Sequence, residues 1–368
     1  MKVLILSCDI GGGHNSCANA IAEVYKNHGE TCIIQDAVAF ISKRLSAQIS
    51  KWHSRIYKYF PFVSKRGYMY IEKHSDILKS EKFLHKLLVS GNERLYRYIK
   101  KECFDTVICT HPFGAIMLTD LMKKSPLPIK TAFVATDYTC YPVLKGSDVD
   151  YYFIPHSELN TEFEKVGINR EKIIVSGIPI KQSFYNVVTP KTARELFGMH
   201  KNTKHLLVMG GSMGCGPIEK VIHNISKTLK SNCDISVICG NNNRLKNKLM
   251  RKYLGNSYIH IYGFSNEIPA LMDSADLILT KPGGLCVSEA LAKRLPMILM
   301  NTVAGCEEYN KDFCVNNGCA FSSADSDELF NLCHAALTNE KTLENMNKSF
   351  NNIETVNSAE IIYNQMVL

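Results

Sequence analysis

The chain has 368 residues, 45% of them hydrophobic, with 14 cysteines and a formal net charge of +8. That length is too great for one average domain and comfortable for two, each able to bury a core. No run approaches the roughly eighteen apolar residues of a membrane-spanning helix, Val3 to Leu6 is too short for the core of a signal peptide, and no Cys-x-x-Cys pair occurs, so reduced thiols in the cytoplasm are expected.

In chain order, Lys2 to Ser7 reads as a short apolar strand, Asp9 to Gly13 as a glycine turn, and Ser16 to Tyr25 as a helix with Ala18, Ile21, Ala22 and Tyr25 near one face. A second strand, Thr31 to Gln35, leads into a basic region expected to be helical, with interruptions at Pro61 and Gly67, to about Lys101. Between Ala37 and Ile71 lie Lys43, Arg44, Lys51, Arg55, Lys58, Lys65 and Arg66 without one acid, interleaved with Trp52, Tyr57, Tyr59, Phe60, Phe62, Tyr68 and Tyr70. Alternating cations and amphipathic rings suit an anionic membrane surface, where each cation contributes about 1 kcal/mol. The competing interpretation is a helix pair with a solvated basic face. No nucleic-acid recognition module accompanies the stretch, so no nucleic acid is expected as partner.

Three strands then follow: Thr106 to Cys109, Ile129 to Ala135 and Tyr151 to Ile154. Each runs into a polar loop, Thr110-His111-Pro112, Thr136-Asp137-Tyr138 and Pro155-His156-Ser157, and in open parallel sheets ligands lie beyond the carboxyl ends of strands. After a strand at Ile173 to Val175, the polar stretch from Asn186 to about Lys204 marks the domain junction.

The second half repeats the alternation. A strand at His205 to Met209 meets the glycine loop Gly210-Gly211-Ser212-Met213-Gly214-Cys215-Gly216, with Pro217 expected as the first helical residue. Strands at Ile235 to Cys239 and Tyr258 to Tyr262 follow, the latter ending in Gly263-Phe264, and then an apolar run from Ala275 to Leu279. That run stops at Thr280-Lys281-Pro282-Gly283-Gly284, where a helix carrying Glu289 begins. Paired glycines admit a ligand close to the backbone, and a fresh helix N-terminus offers unpaired N–H groups to an anion. The glycine loop lacks the Lys-Ser/Thr ending of a P-loop, and Ser16 stands where the third glycine of a dinucleotide fingerprint belongs, which argues against NTPase and dehydrogenase chemistry. Asn351 to Leu368 reads as a last helix, with Ile361, Ile362 and Met366 apolar.

Gly11-Gly12-Gly13-His14, the glycine loop at 210 to 214, Gly263-Phe264, Thr280 to Gly284 with Ser288-Glu289-Ala290, and Gly305-Cys306-Glu307-Glu308 with Asn310 stand in the order found in lipid glycosyltransferases of the GT-B fold. Over roughly residues 1 to 345 the chain resembles monogalactosyldiacylglycerol synthases and processive diacylglycerol glucosyltransferases. The resemblance implies an α/β protein of two Rossmann-like lobes facing a central cleft: an acceptor lobe at 1 to 185, a donor lobe at 186 to 350, and a terminal helix at 351 to 368 that crosses back to the first lobe.

On the donor lobe, the resemblance implies that a UDP-sugar is held by Gly263 and Phe264 at uracil and by Glu289 at ribose. It places Gly211, Ser212, Met213, Gly214, Lys281, Pro282, Gly283 and Gly284 around the diphosphate, and Cys306, Glu307, Glu308 and Asn310 at the sugar. On the acceptor lobe it implies Asp137 and His14 as candidate bases, Asp137 being preferred, with Gly12, Gly13, His111, Tyr138 and Tyr141 shaping the acceptor site. Lys51, Trp52, Arg55, Lys58, Phe60, Phe62, Lys65 and Arg66 are the expected membrane contacts. No cofactor or metal is expected beyond the UDP-sugar itself, so Asp148-Val149-Asp150 and Asp325-Ser326-Asp327 are read as loop and cap acids.

The chain departs from its relatives at Tyr141 and Leu144, where a histidine and a tryptophan are common, and at Cys306, where glutamine is usual. The expected function is inverting transfer of a hexose to a lipid hydroxyl, diacylglycerol above all, by a cytoplasmic protein peripheral to the inner face of the membrane. The alternatives are an enzyme like UDP-GlcNAc 2-epimerase and a non-catalytic nucleotide-sugar or lipid-binding protein.

Overall fold

The computed structural model describes residues 1–9, 12–48, 83–211, 213–300 and 305–368. Gly11, Ser212 and all eight expected membrane-contact residues, Lys51 to Arg66, lie outside the described residues. Among the described residues, no helix is long and apolar enough to cross a membrane.

Two compact units emerge. The first is built from Met1–Gln182 with Val356–Leu368 returning to it, and the second from most of the residues between. In the first unit the elements are β1 (Lys2–Ser7), α1 (Gly12–Asn27), β2 (Thr31–Asp36), α2 (Ala37–Ile41), α3 (Phe83–Val89), α4 (Asn92–Glu102), β3 (Thr106–Cys109), α5 (Pro112–Lys124), β4 (Lys130–Val134), β5 (Tyr151–Ile154), α6 (Asn160–Lys165) and β6 (Ile173–Val175). The six strands form one sheet in the order β2-β1-β3-β4-β5-β6, every pair parallel. Val3, Leu4, Ile5 and Leu6 are wholly buried, as a central strand covered on both faces by helices requires.

The second unit contains α7 (Pro190–Leu196), β7 (Lys204–Met209), α8 (Ile218–Leu229), β8 (Cys233–Ile238), α9 (Asn243–Lys252), β9 (Ile259–Tyr262), α10 (Ile268–Ser274), β10 (Leu277–Thr280), α11 (Gly284–Ala292), β11 (Met297–Met300), α12 (Cys306–Asn316), β12 (Ala320–Ser323), α13 (Ser326–Thr338) and α14 (Glu340–Ser349). Its parallel sheet runs β12-β11-β10-β7-β8-β9. The reading of the sequence did not place β11 and β12, two short strands that follow the Pro-Gly-Gly helix. Asn186 and Val188 are already fastened into this unit: Lys293 Nζ donates to the Asn186 carbonyl and the Val188 N–H donates to the Asp273 carboxylate.

The last helix, α15 (Ser358–Val367), is shorter than the sequence suggested, because Asn357 caps it with its side chain. It packs on α1, where Tyr363 stacks on His28 at 4.0 Å and meets Tyr25 edge-on at 5.1 Å. Helix α1 in turn begins at Gly12, four residues before its expected start, so Gly12, Gly13 and His14 form its first turn.

One buried group gives the second unit an acid limit. His205 on β7 is fully buried, its Nδ1–H donates to Ser274 Oγ at 3.1 Å, and its Nε2 has no hydrogen-bond partner among the described residues. The Ser274 hydroxyl proton is committed to the Leu271 carbonyl, which fixes that direction. Burial pushes the imidazole down to about 4. An unfolded histidine near 6.5 therefore takes up its proton first as pH falls. The stabilisation is fully present above about pH 6.5 and is lost on the way to pH 4, by roughly 3 kcal/mol in total. Thermal melting between pH 7 and 4 checks this: a His205→Asn variant should show a flatter decline, and parallel declines would refute it.

Candidate functional site

In each unit the strand order reverses at one point, between β1 and β3 in the first sheet and between β7 and β10 in the second. Such switch points open a crevice at the carboxyl ends of the strands. Chemistry-bearing residues gather at both.

At the first, His14 rises from the opening turn of α1 against the loop after β3. Its Nδ1 lies 2.7 Å from the Thr110 carbonyl, which can only accept, so Nδ1 carries the proton and Nε2 is the unprotonated nitrogen. Thr110 Oγ1 donates back to the His14 carbonyl at 3.2 Å, which pins the helix start to β3 and accounts for its early beginning. Thr136, beyond β4, places its hydroxyl 3.1 Å from the same Nδ1 and donates to Asp137 Oδ2 at 3.4 Å. The same Oδ2 accepts the Tyr141 hydroxyl. Burial, then the Asp137 charge, holds that phenol well above its usual range, so it stays a donor.

Burial pulls the His14 imidazole below its ordinary value although Asp137 opposes the shift. His111 stands edge-on to it, ring centres 4.6 Å apart. The His111 Nδ1 accepts the Phe113 N–H as the cap of α5, leaving its proton on Nε2. His14 thus offers a basic nitrogen beside a donor. Tyr138 is buried on the same loop.

At the second switch point the loops after β7 and β10 lie side by side. The glycine loop is wound tightly: the Cys215 N–H donates to the Gly210 carbonyl and the Gly214 N–H to the Gly211 carbonyl. Gly214 has a left-handed φ of 55°, and a methyl on it would lie 2.4 Å from the Cys239 carbonyl oxygen. Pro217 falls at the cap position and α8 starts one residue later than expected. Across from this loop, Gly283 stands at the N-cap of α11, and among the described residues no side-chain cap hydrogen bond satisfies the first backbone N–H groups of the helix.

The Lys281 and Pro282 side chains are buried at this helix mouth, and half-buried Glu289 sits in its second turn. Asn310 of α12 is fully buried and donates to the Pro282 carbonyl at 3.0 Å, tying α12 to the loop. Glu308 on the same helix pairs with Lys311 at 3.0 Å. Cys306 and Glu307, both half-buried, open α12.

Comparison with known proteins adds two domain matches. Residues 14–180 match the family model described as monogalactosyldiacylglycerol (MGDG) synthase, and residues 217–352 the model described as glycosyl transferases group 1. A processive diacylglycerol beta-glucosyltransferase of Bacillus cereus (strain B4264) is 28% identical, the alignment covering 96% of this chain and 89% of that protein. One of Bacillus licheniformis is 24% identical over 100% of this chain and 94% of its own length. Among solved structures, Acinetobacter baumannii MurG superposes with a TM-score of 0.67 at 13% identity, covering 100% and 99% of the two chains. The S. aureus MnaA–UDP co-structure does so at 0.64 and 12%, covering 100% and 96%.

The chain is a GT-B glycosyltransferase. In this glycosyltransferase His14, His111, Thr136, Asp137 and Tyr141 come together at the first switch point. The glycine loop, Lys281 to Gly284, Glu289 and Asn310 come together at the second. Gly263 and Phe264 end the edge strand β9, two strands from β7, or about 10 Å at the usual strand spacing. That is a span suited to the length of a nucleoside diphosphate. Phe264 is 68% exposed there, a free ring face beside a loop.

The acids set aside in the sequence are structural. Asp150 accepts from the Thr131 N–H and hydroxyl, Asp148 pairs with Lys172, and Asp325 caps α13. Two residues of the glycosyltransferase went unnoticed in the sequence. Asn242 donates to the Gly214 carbonyl at 3.2 Å while capping α9, and Lys246 lies alongside Gly263, where a methyl would meet its Nζ at 3.5 Å. The three asparagines after Gly240 were visible, but their tie to a loop some thirty residues upstream was not.

Proposed function

We propose that this glycosyltransferase moves a hexose from a UDP-sugar to the hydroxyl of diacylglycerol with inversion, at the cytoplasmic face of the membrane, as a peripheral protein. The donor belongs on the lobe spanning 186 to 350 and the acceptor on the lobe spanning 1 to 185. The observation that carries the reading is the mouth of α11, an uncapped helix N-terminus at a switch point with a wound glycine loop beside it. Such a mouth accepts a diphosphate in the ground state and the charge of departing UDP in the transition state. The domain match over the first lobe and the printed activity of the full-length relatives support a lipid acceptor.

In the reaction the acceptor hydroxyl loses its proton to a base as its oxygen attacks the anomeric carbon, and the bond from that carbon to UDP breaks. The sequence favoured Asp137 as base. The geometry favours His14, whose Nε2 is kept unprotonated, while Asp137 Oδ2 already accepts two hydroxyl protons. Asp137 then stabilises the imidazolium that forms, acting across the Thr136 hydroxyl. Glu289 takes the ribose hydroxyls, Lys281 faces the diphosphate, and Glu307 and Glu308 take the sugar. Asn310 acts chiefly by holding the Pro282 carbonyl.

The test is UDP release by purified enzyme with UDP-glucose, UDP-galactose and UDP-GlcNAc against diacylglycerol in mixed micelles. Acceptor-dependent release with a hexosyl-diacylglycerol product is expected. UDP release without acceptor, or binding without turnover under any acceptor, would overturn the reading.

A further inference from the structure

Helices α8 and α9 of the second unit carry seven cations, Lys220, Lys227, Arg244, Lys246, Lys248, Arg251 and Lys252, against the single acid Glu219. Together with the basic segment between Ala37 and Ile71, this takes up more than the whole net charge of +8, so the rest of the chain is net acidic. The basic charge of the second unit is thus concentrated on one pair of helices.

The packing of α9 decides which of these groups face outward. Leu249 is its fully buried contact and Leu245 lies beside it, which turns Arg244, Asn247 and Arg251 to the opposite side. Lys248 flanks that side on one edge, while Lys252, the last residue of the helix, is exposed on the turn of Leu245 and Leu249 with its Nζ 5.4 Å from the Tyr253 ring centre. Met250, 49% exposed, and Leu254, 88% exposed, flank the outer side on its other edge. Lys220 and Lys248 are matched by Asp327 and Glu219. Among the described residues no carboxylate lies within ion-pair distance of Lys227, Arg244, Arg251 or Lys252. The repulsion is felt locally: Lys252, then burial, then Lys227 hold the neighbouring His223 imidazole below its ordinary value.

We propose that the outer face of α9, with the end of α8, is a docking surface for the anionic phospholipid headgroups of a bilayer. Unmatched cations on one stripe, bordered by two exposed apolar side chains, are the pattern of a helix lying in the headgroup layer, with Met250 and Leu254 reaching toward the acyl boundary. A nucleic acid would use the same cations but gains little from the methionine and leucine. These helices are distinct in sequence from the basic aromatic segment, and the proposal assumes nothing about donor or acceptor. Vesicle binding and transferase turnover therefore succeed or fail independently.

The experiment is flotation of the full chain with phosphatidylcholine vesicles that do or do not contain phosphatidylglycerol. Arg244, Arg251 and Lys252 are changed together to glutamine, and a charge-matched control changes Lys26, Lys101 and Lys123 on the first unit. The α9 variant should lose at least about tenfold in affinity for the anionic vesicles, since each cation at the surface is worth about a fivefold factor. The control should lose much less, and UDP affinity should stay unchanged in both. A Met250→Ser, Leu254→Ser variant should weaken vesicle binding without altering its salt dependence. Equal losses in the α9 variant and the control would reduce the effect to net charge and overturn the proposal. Unchanged vesicle binding with lost retention of RNA by the α9 variant would overturn it in favour of a nucleic acid.

Discussion

His14→Ala is expected to lower kcat by about 10²- to 10⁴-fold, the usual contribution of a positioned general base, with donor KM nearly unchanged. Its side chain belongs to the first unit and the proposed donor contacts to the second, so the loss should fall on the chemical step. Asp137→Asn keeps the shape of the side chain and an oxygen that can accept from Tyr141, but removes the charge that opposes the lowering of the His14 pKa. It should reduce kcat less than His14→Ala does. The order would reverse if Asp137 itself took the proton.

The pH profile gives a second measure. The ring must be neutral to accept a proton, and burial holds its pKa below the ordinary value near 6.5. Activity should therefore persist as pH falls through the ordinary histidine range and decline only below it. In Asp137→Asn the acid limb should move lower still, because the charge that favours imidazolium has gone. An acid limb at or above 6.5 in the wild type would remove His14 from the role.

Two glycines at the donor loop should behave in opposite ways. Gly214→Ala combines a left-handed backbone, costing about 1–2 kcal/mol, with a methyl 2.4 Å from the Cys239 carbonyl oxygen, which is backbone and cannot step aside. The loop must shift, and the Asn242 bond to it goes as well. UDP affinity should fall by roughly ten- to hundredfold, with a lower melting temperature. Gly283 has a φ of −71°, and a methyl on it meets nothing within 4 Å among the described residues. Gly283→Ala should leave the melting temperature of the free protein unchanged and still weaken UDP binding, because only a ligand comes close enough to feel it. Calorimetric titration with UDP beside thermal melts tests both, and unchanged affinity in Gly283→Ala would place the diphosphate elsewhere.

The strands of both sheets were largely legible because parallel strands buried on two faces leave continuous apolar runs, as in Val3 to Leu6 and Leu206 to Val208. Their loops were legible from glycine, proline and histidine punctuation. The start of α1 was not, because bonds to Thr110, nearly a hundred residues away, pin it. β11 and β12 were missed because four apolar residues between turns resemble a piece of helix as much as a strand. Asn310 was placed at the sugar by resemblance alone, and nothing in the sequence signalled that one of its two amide protons goes to the Pro282 carbonyl. Lys246 carried no signal at all: one lysine among the five cations of α9 differs from the others only in what it lies against.

The return of α15 to the first unit sets an order on biosynthesis. Tyr25 and His28 are made more than 330 residues before Tyr363, which covers both. At about 5–20 residues per second the apolar flank of α1 waits on the order of tens of seconds for its cover. Throughout that interval the second unit has time to fold on its own. The first unit, with the helix that carries His14, is completed only after the whole of the second unit has been made.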